Sequence, residues 1–195
     1  FLGRYRIAER ATGSFGRVFA IVDSETAQTR ALKLAASAPG ADALLLDELA
    51  VLARLHHPSL PRVFEVGRTA EPIDGVPAGA PFFVAEWIAG GSADQRRWDD
   101  PRALWSLIAD IGGALAVIHA AGLVHGDVAP KNILLAGDRA ILVDLGLATA
   151  SGARGTPAYM APEAFAGHVA PQSDLYSLGA TVAHLVLGRP PFAAD

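Results

Sequence analysis

The chain has 195 residues, 51% hydrophobic and 18% charged, with 16 Lys and Arg against 20 Asp and Glu and a formal net charge of −4. This composition suits a globule with a sizeable core and argues against disorder, and so mild a charge predicts neither nucleic-acid nor acidic-membrane binding. No Cys is present, which excludes disulfides and thiolate metal sites and fits a reducing, cytoplasmic setting. The chain starts at Phe1 rather than Met and carries no signal peptide, so it reads as an excerpt. The longest apolar helix in the pattern, around Leu178 to Leu187, is too short to cross a bilayer, and no membrane segment is expected.

Tyr5 to Arg10 and Arg17 to Val22 read as strands around Ala11-Thr12-Gly13-Ser14-Phe15-Gly16. Glycines in such a turn let backbone N–H groups approach a phosphate without interference from Cβ atoms, although a plain hairpin turn has the same pattern. Ala31-Leu32-Lys33-Leu34-Ala35 reads as a third strand, with Lys33 on the face of Ala31 and Ala35, where a charge needs an anion. Ala41 to His56 reads as a helix that stops near Pro58. Its apolar seam of Leu45, Leu52 and Leu55 also carries Glu48, for which Lys33 on the preceding strand is the economical cation; a half-exposed Glu at the margin is the alternative. Arg62 to Gly67 and Pro81 to Trp87 read as two more strands, separated by a loop from Glu71 to Ala80. Glu86 to Gly91 then breaks regular structure. Residues 1–88 are mainly strand and residues 89–195 mainly helix, so this break is the expected boundary between two lobes.

Asp100 and Pro101 start the next helix as N-cap and first-turn proline. Leu104, Leu107, Ile108, Ile111, Leu115 and Ile118 recur at helical spacing and lead into His125-Gly126-Asp127-Val128-Ala129-Pro130-Lys131-Asn132. Ile133-Leu134-Leu135 and Ile141-Leu142-Val143 flank Gly137-Asp138 as a hairpin, which returns Asn132 and Asp144 to neighbouring ends. An amide oxygen beside a carboxylate is a hard-oxygen pair suited to Mg²⁺; a loop whose Asp and Asn only bond backbone groups would carry the same residues. Only two of the 16 basic residues are Lys, at positions 33 and 131, which points to a need for an ammonium at each. Ser173 reads as the cap of a last helix to about Leu187, closed by Gly188 and Pro190-Pro191.

Taken in order, these segments resemble the protein kinase family, of the Ser/Thr type found in bacteria. The glycine turn is similar to G-x-G-x-x-G-x-V, with Gly13, Gly16 and Val18 in place and Ala11 at the first glycine. Ala31-Leu32-Lys33 resembles V-A-I-K, and Glu48 stands at the ion-pairing helix glutamate. His125-Gly126-Asp127 with Asn132 resembles H-R-D-x-x-x-x-N, Asp144-Leu145-Gly146 resembles D-F-G, and Gly155 to Glu163 resembles the substrate-facing segment that ends in A-P-E. Ser173 to Gly179 is similar to the helix whose Asp anchors the catalytic loop. The resemblance implies a two-lobed α+β fold: a small antiparallel β lobe with one helix, and a mainly helical lobe whose last helices are missing from this chain. It also implies ATP with Mg²⁺ (Mn²⁺ as the alternative) and a protein substrate with a Ser or Thr acceptor. Catalytic roles fall to Asp127, Lys131, Lys33 and Glu48. Nucleotide contacts fall to Ala11, Thr12, Gly13, Ser14, Phe15, Gly16, Val18, Ala31, Lys33, Ala85, Glu86, Ile88, Leu134 and Asp144, and metal ligation to Asn132 and Asp144.

Four positions depart from the family pattern. Ala11 replaces a glycine, Leu145 replaces the Phe of D-F-G, and Gly126 replaces the Arg that often receives an activation-segment phosphate. With a segment of fourteen residues from Leu147 to Met160, activity without phosphorylation there is expected. Ala129 stands where a Ser/Thr kinase carries Lys, and Lys131 is expected to supply that charge from two residues on. The Arg that pairs with the A-P-E glutamate would lie past Asp195, so Glu163 is expected to lack that partner and the last helix to expose apolar surface. The competing readings are a catalytically weak nucleotide-binding scaffold, a small-molecule kinase resembling the aminoglycoside phosphotransferases, and a non-enzymatic interaction module.

Overall fold

In a computed structural model the described residues are 3–13, 16–35, 40–145 and 155–192, with only the backbone described at positions 10–13, 16, 41 and 44. The chain forms two compact units, Phe1–Arg54 with Pro61–Trp87 and Leu55–Leu60 with Ile88–Asp195.

The first unit is an antiparallel sheet of β1 (Tyr5–Gly13), β2 (Gly16–Asp23), β3 (Thr29–Ala35), β4 (Val63–Arg68) and β5 (Pro81–Glu86), in the order β1-β2-β3-β5-β4. β1 and β2 run three residues and one residue closer to the glycine turn than their apolar patterns suggested, since small residues such as Ala11 and Gly13 can still pair through their backbones. Strand alternation divides the side chains. Phe19, Ile21, Leu32, Leu34, Phe82 and Val84 form one buried face, closed by Tyr5, Ile73, Val76 and Ala80. The other parity places Val18 opposite Lys33, and Ala31 opposite both Ala20 and Ala85. Tyr5 donates its hydroxyl to Glu65 Oε2 at 2.5 Å. These residues sit on the two edge strands, so the twisted sheet must curl for them to meet.

Helix α1 (Ala41–Leu52) packs on β3 and β5 with Leu45, Glu48 and Leu52 buried on one stripe. It stops four residues before the expected end. Ala53 N–H still bonds Leu49 O, but Arg54 N–H bonds Val51 O in a tighter turn. Residues 55–60 then group with the second unit, where Leu142 N–H donates to Ser59 O at 2.9 Å.

The second unit is built on α2 (Pro101–Ala120), the hairpin of β6 (Ile133–Ala136) and β7 (Arg139–Leu142), the short α3 (Pro162–Phe165) and α4 (Pro171–Leu187). Asp100 caps α2 by accepting Arg102 N–H at 2.9 Å. Its buried stripe of Leu107, Ile111, Ala114, Leu115 and Ile118 serves β7 and α4, and Asp110 Oδ2 accepts Ala140 N–H at 2.8 Å. This helix, not the Leu178 to Leu187 stretch, is the longest apolar one, and its 20 residues reach the length and apolarity of a membrane span; its buried stripe here belongs to the core of the unit. α4 begins at Pro171, so Ser173 is not its cap but lies inside the first turn, where its Oγ accepts Ala170 N–H at 3.2 Å. Leu175, Val186, Leu187 and Phe192 stay exposed, as expected of this region.

Candidate active site

In the first unit, strand alternation turns Lys33 to the face that α1 covers, where the Glu48 stripe meets it. Lys33 Nζ donates to both Glu48 oxygens at 2.7 Å, and both side chains are buried. Two charges withdrawn from water stay ionised together only through such a pair, so the ammonium is fixed in direction as well as in charge. Val18, Ala31 and Ala85 share the Lys33 face, and Glu86 N–H bonds Arg62 O at 2.8 Å at the end of β5. Ala11, Thr12, Gly13 and Gly16 lie on the β1–β2 ladder, with Thr12 opposite Arg17 and Gly13 opposite Gly16. Ser14 and Phe15 lie outside the described residues.

In the second unit, the catalytic-loop candidate is held from below by one carboxylate. Asp174, in the first turn of α4, accepts His125 N–H on Oδ2 and Gly126 N–H on Oδ1, both at 2.8 Å, and His119 Nε2–H on Oδ2 at 2.7 Å. Thr181 Oγ1 donates to Val128 O at 3.2 Å, and Ala129 is sealed against Tyr159 and Ala180. His125 is fully buried. Its Nδ1 accepts Asp127 N–H at 3.2 Å and its Nε2 faces Val143 O at 3.3 Å, which selects the neutral tautomer with the proton on Nε2. Burial pushes its pKa below the ordinary 6.5, against the pull of Asp174, Asp127 and Asp144.

Asp127 emerges from this scaffold with its two oxygens assigned to different partners. Oδ1 accepts Thr156 N–H at 2.8 Å and the Thr156 hydroxyl at 2.7 Å. Oδ2 accepts Asn132 Nδ2 at 2.8 Å and stands 3.6 Å from Lys131 Nζ, whose side chain is 47% exposed. The close approach of Gly155 permits the Thr156 contact, since a Cβ there would lie 2.7 Å from Gly126 O. Asn132 Nδ2 also donates to Asp127 O at 2.8 Å. Both partners of that nitrogen are pure acceptors, so the amide cannot be flipped and its Oδ1 is the edge left for a cation. The hairpin does bring its open ends together: Val143 N–H donates to Asn132 O at 2.9 Å, and Asp144 follows with φ +55°. Leu134 is half-buried on β6 and bridges Ser92, while Ile88 is buried.

Two partnerships were not legible in the sequence. Glu163 is not left without a hydrogen bond: Ser173 donates its hydroxyl to Glu163 Oε1 at 2.9 Å. His119 joins Asp174 across 55 residues, and nothing local in the sequence signals that contact. Thr149 and Ser151, in the expected activation segment, lie outside the described residues, as does Gly146.

The sequence profile of the protein kinase domain matches residues 10–195. The chain is 34% identical over 212 aligned positions to the serine/threonine-protein kinase PknL of Mycobacterium tuberculosis, covering 98% of this chain and 51% of the relative. It is 35% identical over 214 positions to PknA of the same organism, covering 99% and 49%. It is 36% identical over 214 positions to the DNA damage-responsive serine/threonine-protein kinase RqkA of Deinococcus radiodurans, covering 99% and 31%. The chain thus spans about half the length, or less, of the curated relatives it matches. With the ion pair, the anchored loop and the matched profile in agreement, this chain belongs to the protein kinase domain family.

Proposed function

We propose that the protein carrying this chain transfers the γ-phosphoryl group of ATP to Ser or Thr hydroxyls of proteins, in the cytoplasm. The observation that carries the reading is the buried Asp127 carboxylate, set by Asn132 on one oxygen and Thr156 on the other. Phosphoryl transfer requires positioning and charge neutralisation more than covalent assistance. Asp127 orients the acceptor hydroxyl and takes its proton as the new O–P bond forms and the bond to the departing ADP oxygen breaks. Lys33, aimed by Glu48, holds the nucleotide phosphates. By the family resemblance, Val18, Ala31 and Ala85 of the first unit and Ile88 and Leu134 of the second are the residues assigned to the base, and the backbone of residues 11–16 is assigned to the phosphates.

Asn132 Oδ1 and the Asp144 carboxylate form the donor set for a divalent cation, hard oxygens that fit Mg²⁺ and admit Mn²⁺. When bound, the cation supplies charge neutralisation on the phosphate oxygens. Lys131 supplies the remaining positive charge at the acceptor side. Position 129 is packed against Tyr159 and Ala180, so a long cationic side chain has no room there in this packing. Lys131, four residues after Asp127, reaches the same carboxylate from a half-exposed site.

Label transfer from γ-labelled ATP, with phosphoamino-acid analysis of the product, tests the reading on the full-length protein. Phosphoserine or phosphothreonine is the expected product. Nucleotide binding without transfer would favour the scaffold, and transfer only to small molecules would favour the phosphotransferase alternative.

A further inference from the structure

We infer that Asp74 is a positioning residue for nucleotide binding, holding the β1–β2 hairpin through Arg17 from the sheet face opposite Lys33. The inference rests on the kinase reading above.

Ile73-Asp74-Gly75-Val76 lies within the stretch that the sequence presents as a Pro- and Gly-rich loop. It is instead a minimal hairpin. Ile73 and Val76 exchange N–H···O bonds at 2.9 and 2.8 Å, and Asp74 and Gly75 take φ of +50° and +79°, the paired positive values of a type I′ turn. Ile73 and Val76 are buried in the cluster of Phe19, Leu34 and Phe82. The tip is therefore fixed to the core rather than carried on a free loop.

That tip meets Arg17. Arg17 Nη1 donates to Asp74 Oδ2 at 3.0 Å, with the side chains 29% and 32% exposed. A Cβ at Gly75 would lie 3.4 Å from the same nitrogen, ordinary contact distance, so the guanidinium lies alongside the turn. On β2, Arg17 shares parity with Phe19, while the next residue, Val18, stands opposite Lys33. Arg17 is also opposite Thr12, one rung from the Gly13–Gly16 pair. One strand thus presents consecutive residues to the tether and to the nucleotide face.

An exposed ion pair contributes about 0–1 kcal/mol because two flexible side chains must be ordered. Here the turn backbone already fixes the carboxylate. Loosening it leaves the core intact and lets the ladder near residues 12–17 open more often, which costs nucleotide affinity rather than the chemical step.

The test is Asp74→Asn in the full-length protein, read by ATP kinetics, thermal unfolding and amide exchange. The expected result is a KM for ATP raised about three- to fivefold, an unchanged kcat, an unchanged Tm and faster exchange at residues 12, 13, 16 and 17. The exchanged pair Arg17→Asp with Asp74→Arg should recover most of the loss. Unchanged KM and exchange would overturn the inference, as would a raised KM accompanied by a lower kcat and a lower Tm, which marks a merely structural role. If the wild-type protein transfers no phosphoryl group, the kinase reading fails, and the exchange comparison, which needs no turnover, still decides whether the tether exists.

Discussion

Asn132 and Asp127 fix each other's orientation through two hydrogen bonds from one nitrogen, to Asp127 O and to Asp127 Oδ2, both at 2.8 Å. The amide nitrogen is thereby occupied, the amide oxygen is the edge left for the proposed cation, and the carboxylate keeps one oxygen for Thr156. Asn132→Asp would place a second acceptor against Oδ2 inside a buried loop. We expect it to raise the Mg²⁺ concentration for half-maximal activity and to lower stability by about 1–3 kcal/mol. Magnesium titration of activity and chemical denaturation check both effects; a variant with unaltered metal dependence would remove Asn132 from the ligand set.

The Lys33–Glu48 pair separates stability from function. Glu48→Ala leaves a buried ammonium without its main counter-charge and should destabilise the first unit by about 3–5 kcal/mol. The double substitution Lys33→Met, Glu48→Leu should be more stable than Glu48→Ala and remain inactive. Denaturant midpoints and a transfer assay together test this; an active double variant would contradict the role given to Lys33.

His125 predicts a pH dependence with a definite sign. Its folded-state pKa lies below the unfolded value near 6.5, so below that pH the unfolded chain binds a proton that the folded chain refuses. Stability should fall as pH drops below 6.5, by at most about 1.4 kcal/mol per pH unit, and be flat in this contribution above it. Comparing the unfolding of wild type and His125→Gln at pH 7.5 and 5.5 isolates the effect, with the smaller loss expected in the variant.

Lys131→Ala should lower kcat about tenfold or more while leaving the KM for ATP within about threefold, because its ammonium stands 3.6 Å from Asp127 Oδ2, the carboxylate proposed to take the acceptor's proton. Lys131→Arg should retain an intermediate rate. An unchanged kcat in Lys131→Ala would return this residue to the solvated surface. In the same assay Thr156→Ala should impair turnover through its lost contacts with Asp127, whereas Thr149→Ala and Ser151→Ala should not, if phosphorylation of that segment is not required.

Much of the fold was legible because it follows from local periodicity. The alternation at Ala31-Leu32-Lys33 set the face of the charge, and the spacing of Leu45, Glu48 and Leu52 set its partner. The Gly137-Asp138 hairpin brought Asn132 back toward Asp144 for the same reason. What escaped depends on tertiary contact. The early end of α1 goes with the tighter turn in which Arg54 N–H bonds Val51 O, the position of Ser173 follows from Pro171 starting the helix, and the His119–Asp174 bond from packing across the second unit. The Ile73–Val76 hairpin is a different case. Asp-Gly between two β-branched residues is a strong short-range hairpin signal, masked in the sequence by the surrounding Pro and Gly.

The most direct test of the central claim is single-turnover γ-phosphoryl transfer by the full-length protein and its Asp127→Asn variant, with nucleotide binding measured in parallel. Asparagine keeps the shape of the side chain and removes the proton acceptor. The account predicts wild-type transfer to Ser or Thr, ATP affinity within about threefold in the variant, and a transfer rate lower by about 100-fold or more. Transfer at the wild-type rate by Asp127→Asn would contradict it.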